Sequence, residues 1–119
     1  MRYVFILIMS MSFSAHAEWK EFADFYIKDI EFTDNQRVSV QVLIDDVPYG
    51  GSIVYHTQYQ CDNGVPTKQR NFWNAYYEGR MGTGNADYGS LGAPWLPHEV
   101  NRFTKLATEL CKLANRRFD

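Results

Sequence analysis

Two cysteines, Cys61 and Cys111, are the tightest constraint on this chain, because each lies on the apolar side of its own local pattern. From 52 to 61 the residues alternate with the two-residue period of a strand. Ile53, Tyr55, Thr57, Tyr59 and Cys61 form the larger, more apolar set, whereas Val54, His56, Gln58 and Gln60 are mostly polar, so the odd face points at the core. Near the end of the chain, Val100, Phe103, Ala107, Leu110, Cys111 and Ala114 recur at steps of three and four. They stand opposite an arc of Arg102, Lys105, Thr108, Glu109 and Lys112, the pattern of an amphipathic helix. A bond between the two sulfurs would therefore clamp a helix onto one face of a sheet. Closing a loop of about 50 residues contributes roughly 4 kcal/mol in the chain-entropy account, a large share of a small domain's total of about 5–15 kcal/mol.

Whether the cysteines pair depends on the compartment, and the first residues point out of the cytoplasm. Met1 and Arg2 give a positive start, residues 3–13 are apolar apart from two serines, and Ser14-Ala15-His16-Ala17 places small residues before a cut between Ala17 and Glu18. The apolar run is about half of the roughly 20 residues that span a bilayer. Residues 1–17 are expected to be a signal peptide and 18–119 a single domain. No cysteine stands at the cut, so no lipid is attached there, and the mature protein is expected in the periplasm or secreted, with no membrane anchor after cleavage. In an oxidising compartment two cysteines of a small exported domain pair. A zinc site needs more ligands close by, so neither metal nor other cofactor is expected. The mature part carries 11 basic and 14 acidic residues, which argues against nucleic acid or anionic lipid as a partner.

The rest of the chain reads as strands and turns. Between 18 and 46, aromatic and aliphatic residues suggest short strands around a polar turn at Asp34-Asn35-Gln36, and 37–44 alternates with Val38, Val40, Val42 and Ile44 on one face. Asp45-Asp46 and Pro48-Tyr49-Gly50-Gly51 turn the chain back. Asp62-Asn63-Gly64 marks a tight hairpin whose return strand is 68–77. Five glycines and two prolines between 78 and 97 predict a long irregular loop, after which Pro97 and Glu99 open the helix. The fold class is α+β: an antiparallel β-sheet of about four to six strands, with one C-terminal α-helix packed on one face and tethered by the disulfide.

Trp19, Tyr26-Ile27 with Ile30, the strand from Val38, Tyr59-Gln60-Cys61-Asp62, Met81-Gly82-Thr83-Gly84, Trp95, Pro97 and Cys111 occur in an order that resembles the surface-adhesin protein E family. These are small exported bacterial proteins with an antiparallel sheet and a disulfide-tethered C-terminal helix. Lys28 stands where the family pattern has Asp, eight residues follow Cys111, and the anchoring cysteine of the best-known member is missing. The resemblance implies adhesion, for that member to host proteins such as vitronectin and laminin.

Chemistry is sparse. His56 projects from the polar strand face beside Gln58 and Gln60, as a contact-surface residue would, and His98 sits where a capping or packing role is expected. The glycines of 79–84 lack the Gly-Lys-Ser/Thr ending of a phosphate loop and read as structural. Nucleophile, base and orienting group do not assemble, so no enzyme is expected. Phe72, Trp73, Tyr76 and Tyr77 put rings on both faces of one strand, one for the core and one for a partner, or for a second copy in a homodimer. The expected function is an exported, non-enzymatic, adhesin-like module that binds a host or periplasmic protein through an exposed sheet face or edge, with His56, Gln58 and Gln60 in the contact. The alternative is a periplasmic inhibitor or immunity protein that blocks a hydrolase or toxin with the loop 78–91.

Overall fold

The alternation of residues 37–44 becomes the middle of a sheet in the computed structural model, which describes residues 19–34, 36–45, 48, 50–90 and 92–117. The expected signal peptide and its cut between Ala17 and Glu18 lie outside the described residues. In chain order the strands are β1 (Lys20–Phe22), β2 (Phe25–Asp34), β3 (Arg37–Ile44), β4 (Ser52–Asp62), β5 (Val65–Tyr77), β6 (Ala86–Ser90) and β7 (Leu96–Pro97), followed by α1 (Thr104–Arg117). β1 to β6 form an antiparallel meander in sequence order, and β7 pairs with the other end of β5.

Among the described residues the sheet has seven strands, more than the four to six expected. The additional ones are short. β6 and β7 lie within 78–97, which is a 3-10 turn (Arg80–Gly82) and two strands rather than one irregular loop. Their residues, Ala-Asp-Tyr-Gly-Ser and Leu-Pro, lack an alternating apolar face and join the sheet through backbone pairing with β5. The helix starts at Thr104, seven residues later than Pro97. Pro97 sits on the outer strand β7, where a missing N–H is tolerated. Asn101 is the cap instead: its Oδ1 accepts the Phe103 N–H at 2.8 Å, and its own N–H donates to Thr104 Oγ1 at 2.9 Å. Val100, placed on the apolar stripe by the sequence, lies before this cap and is 90% exposed.

Turn chemistry explains the hairpins. At β4–β5, Asn63 and Gly64 both take positive φ (51° and 83°), as a two-residue type I′ turn requires. Ala23 and Asp24 do the same between β1 and β2, with φ 49° and 73°. Asp24 tolerates that conformation, but Ala23 does not announce such a turn.

One core lies between sheet and helix. Val38, Val40, Val42, Tyr59 and Cys61 pack there against Leu106, Ala107, Leu110 and Cys111, with Phe25 and Ile27 at the β2 side. Cys61 and Cys111 are bonded, with Cα atoms 5.6 Å apart, so the helix is fixed to β4 from its buried stripe. A smaller cluster on the opposite face gathers Trp19, Leu43, Val54 and Ala75 with Tyr26, Trp73, Tyr77 and Met81. The even positions of β4 are therefore not uniformly solvated: Ser52 and Val54 are buried at one end. A corner closes that end. Ser52 Oγ accepts the Gly82 N–H at 2.8 Å and donates to the Gly79 carbonyl at 2.7 Å, while Asp45 takes the Met81 N–H and the Arg80 guanidinium. Burial alone would raise the Asp45 carboxyl, but the Arg80 and Met81 hydrogen bonds outweigh it and hold the group below the ordinary carboxylate range.

Replacing both cysteines by alanine is expected to remove about 4 kcal/mol, seen as a fall in melting temperature of roughly 15–30 °C. Reduction of the native protein should reproduce the shift, and an unchanged melt would refute the clamp. Asn101→Ala should cost about 1 kcal/mol by loss of the cap, read as a lower urea midpoint at constant slope.

Candidate functional site

The face turned away from α1, here the outer face, is built by strand parity and by one irregularity. Opposite residues of adjacent strands share a face, so Gln41, His56 and Trp73 stand in one row across β3, β4 and β5, Ser39, Gln58 and Arg70 in the next, and Arg37, Gln60 and Lys68 in the third. Between the first two rows the register slips: His56 faces Trp73 and Thr57 faces Asn71, leaving Phe72 as an extra residue. This is a β-bulge, and the Thr57 hydroxyl donates to the Arg70 carbonyl beside it at 3.1 Å.

The bulge decides where the rings go. Strict alternation would put Phe72 and Trp73 on opposite faces. With the extra residue both flank His56, whose ring lies 4.9 Å from Phe72 and 5.4 Å from Trp73. The column continues in both directions. Trp73 meets Tyr88 of β6 at 5.6 Å, and Tyr88 meets Tyr77 at 6.5 Å. On the other side the Arg70 guanidinium lies 5.0 Å from the Phe72 ring and 4.3 Å from that of Trp95, carried in by the strap before β7. Trp19 and the corner at 79–84 cap one end of the outer face, and the rows from His56 to Lys68 carry no second layer among the described residues.

The expected contact residues all lie on this face, in unequal roles. His56 is half-buried inside the column. Gln58 is 7% exposed and its Oε1 accepts the Arg70 Nε–H at 2.9 Å, so it positions another side chain more than it offers itself. Gln60 is half-buried between Arg37 and Lys68. The sequence reading missed Arg70, Trp95 and Tyr88. Arg70 shares the parity of Gln58 in the hairpin register, which was a usable signal, whereas Trp95 is brought in only by the pairing of β7.

Charges of both signs line the face: Asp29 and Glu31 stand on the β2 side with Lys28 opposite Gln41, and Arg37, Lys68 and Arg70 gather toward β5. Burial lowers the His56 pKa from 6.5, and the fields of Asp29 and Glu31 partly restore it. At the far end, the hydrogen bond that the Tyr77 hydroxyl shares with Tyr88 at 3.2 Å, together with burial, pushes the Tyr77 phenol up to about 12.

His98 belongs to the other face and to structure. Its Nδ1 is 2.6 Å from Gln69 Oε1 and its Nε2 3.1 Å from Thr104 Oγ1, with the ring edge-on to Tyr59. A neutral ring with the proton on Nδ1 satisfies both, donating to Gln69 and accepting from Thr104. Burial lowers its pKa. It thus ties β5 to the helix cap, the capping part expected of it, although it lies before the first turn. Between the start of α1 and the sheet is a cavity of about 130 Å³ lined by Val42, Tyr55, Thr57, Tyr59, Gln69, Asn71 and Phe103, well below the several hundred cubic ångströms of usual ligand pockets. Among the described residues no group of three or more His, Cys, Asp or Glu side chains could hold a metal ion. The segment 78–90, which an inhibitor would insert, is folded into the braced corner and β6. Comparison with family models, curated proteins and solved structures finds no match.

Both imidazoles titrate below 6.5 in the fold, so on acidification the unfolded chain binds protons before the folded one does. Their contribution is fully present above the pKa of the unfolded imidazole, about 6.5, and is lost as pH falls from there through the lowered values of the folded protein. The urea midpoint should therefore drop between about pH 7 and 5.5. Asp29→Asn combined with Glu31→Gln should move the His56 titration, followed by NMR, to still lower pH. An upward move would contradict the assigned fields.

Proposed function

We propose that this chain is an exported, non-enzymatic protein-binding module of adhesin-like type, which presents its outer sheet face to a host or periplasmic protein. The observation that carries this reading is the ring column from Trp95 to Tyr77, lying on a face without a second layer among the described residues. Trp, Tyr and Arg are the side chains that dominate binding energy when a partner excludes water from them. Tyr88, 67% exposed, is the most accessible ring of the column. The Cys61–Cys111 bond supports an oxidising, extracytoplasmic setting, and no helix among the described residues is long and apolar enough to cross a membrane. The kinship proposed with the surface-adhesin protein E family agrees with this arrangement of sheet, helix and disulfide.

The oxidised protein, immobilised, is to be exposed to periplasmic extract and to host serum, and the captured species identified and titrated. Tyr88→Ala and Trp73→Ala, each checked by its melt, should weaken capture at least tenfold, as truncation of a hot-spot ring does. Lys105→Ala on the helix should leave it unchanged. Equal loss from the helix variant, or none from the ring variants, would reject the outer face as the contact.

A further inference from the structure

The Arg70 guanidinium is held as a receptor is held, and the side chains around it account for only part of its binding capacity. It lies over the rings of Phe72 and Trp95 at 5.0 and 4.3 Å, and Gln58 Oε1 takes the Nε–H at 2.9 Å. The guanidinium has five N–H donors in a rigid planar fork. The bond to Gln58 uses one, which leaves the Nη pair without a hydrogen-bonded or ionic partner among the described residues. A stacked and tethered guanidinium has already lost the rotamer freedom that a free arginine gives up on binding, so a partner meeting its Nη edge gains the charge-assisted bonds at lower entropic cost.

Resting on the protein-binding reading above, we infer that Arg70 receives a carboxylate: an Asp or Glu side chain of the partner protein docks on its Nη pair while neighbouring apolar side chains of the partner lie along the rings of Phe72, His56, Trp73 and Tyr88. The planar two-oxygen carboxylate matches the paired Nη donors bidentately. The charge pattern selects a single acidic group over a polyanion. Arg37 and Lys68 add positive charge beside Arg70, but a sulfated glycan or nucleic acid long enough to need cations along its whole track would also meet the repulsion of Asp29 and Glu31 on the β2 side of the same face. One carboxylate set at the β5 side, close to Lys68 and away from β2, meets attraction without that repulsion.

The test is a selection from a displayed library of random dodecapeptides on the oxidised protein, with the winners synthesised and titrated against wild type, Arg70→Lys, Arg70→Gln and Tyr88→Ala, and with a heparin oligosaccharide as competitor. Arg70→Lys keeps the charge but loses the fork, so enriched peptides should carry an Asp or Glu beside an aromatic or aliphatic residue. They should bind Arg70→Lys at least tenfold and Arg70→Gln at least thirtyfold more weakly, and lose a similar factor when that acid becomes Asn or Gln. Melts confirm that each variant is folded, and the part of the tryptophan fluorescence removed by Trp95→Phe reports whether the strap stays in place. Peptides without an acid, equal binding by Arg70→Lys, or displacement by heparin at equimolar concentration each overturn the carboxylate site. If such peptides remain sensitive to Tyr88→Ala, the outer face stands as the contact and only the Arg70 assignment falls. If no peptide enriches, or none is sensitive to Tyr88→Ala, both fall together.

Discussion

The packing of one amphipathic helix against three valines of β3 determines what the rest of the molecule can be. Val38, Val40 and Val42 are at most 1% exposed because Leu106 and Leu110 lie on them, and the Cys61–Cys111 bond holds that contact from its middle. A sheet has two faces, and the described residues build one α-helix of fourteen residues. Once that helix is committed to one side, the other can be covered only by side chains and short loops. The second cluster around Trp19 and Leu43 does this at one end. What remains is the half-buried surface on which Arg70, Phe72 and His56 stand.

Strong local period made the larger elements legible in the sequence. β3 alternates without interruption, Asn63-Gly64 permits the positive φ of its hairpin, and the helix keeps its three- and four-residue steps from Phe103 to Ala114. The parity of β4 located both Cys61 on the helix face and His56, Gln58 and Gln60 on the other. The features that eluded the sequence are those set by backbone partnership. β6 and β7 have no apolar rhythm of their own and exist because β5 is long enough to pair with both. Ala23-Asp24 forms a turn that Asp24 tolerates but Ala23 does not favour, between flanking phenylalanines that pair across it.

The bulge at Phe72 shows how far one residue of register can carry. Without it, the strand would divide its rings between the two faces, and the sequence reads that way. With it, Phe72 and Trp73 join His56 on one side, and Tyr76 is left on the other, paired with Asp87. Nothing in Asn71-Phe72-Trp73 identifies an extra residue, because a bulge is a property of two strands and their mutual twist. The column inherits its continuity from that irregularity, and the strap carrying Trp95 completes it from a distant part of the chain.

The strictly sequential order of the meander has a bearing on how the molecule is assembled. Each strand from β1 to β6 pairs with its chain neighbour, so the sheet can grow by adding hairpins as the polypeptide emerges, with little loop closure at any step. Cys61 is in place early and must wait for Cys111, which arrives with the last element. Until the helix seats, one thiol remains beside a strip of bare valines, exposed to wrong partners and to oxidants. The final stretch of chain therefore does two jobs at the same moment: it shields the apolar face and retires its reactive sulfur.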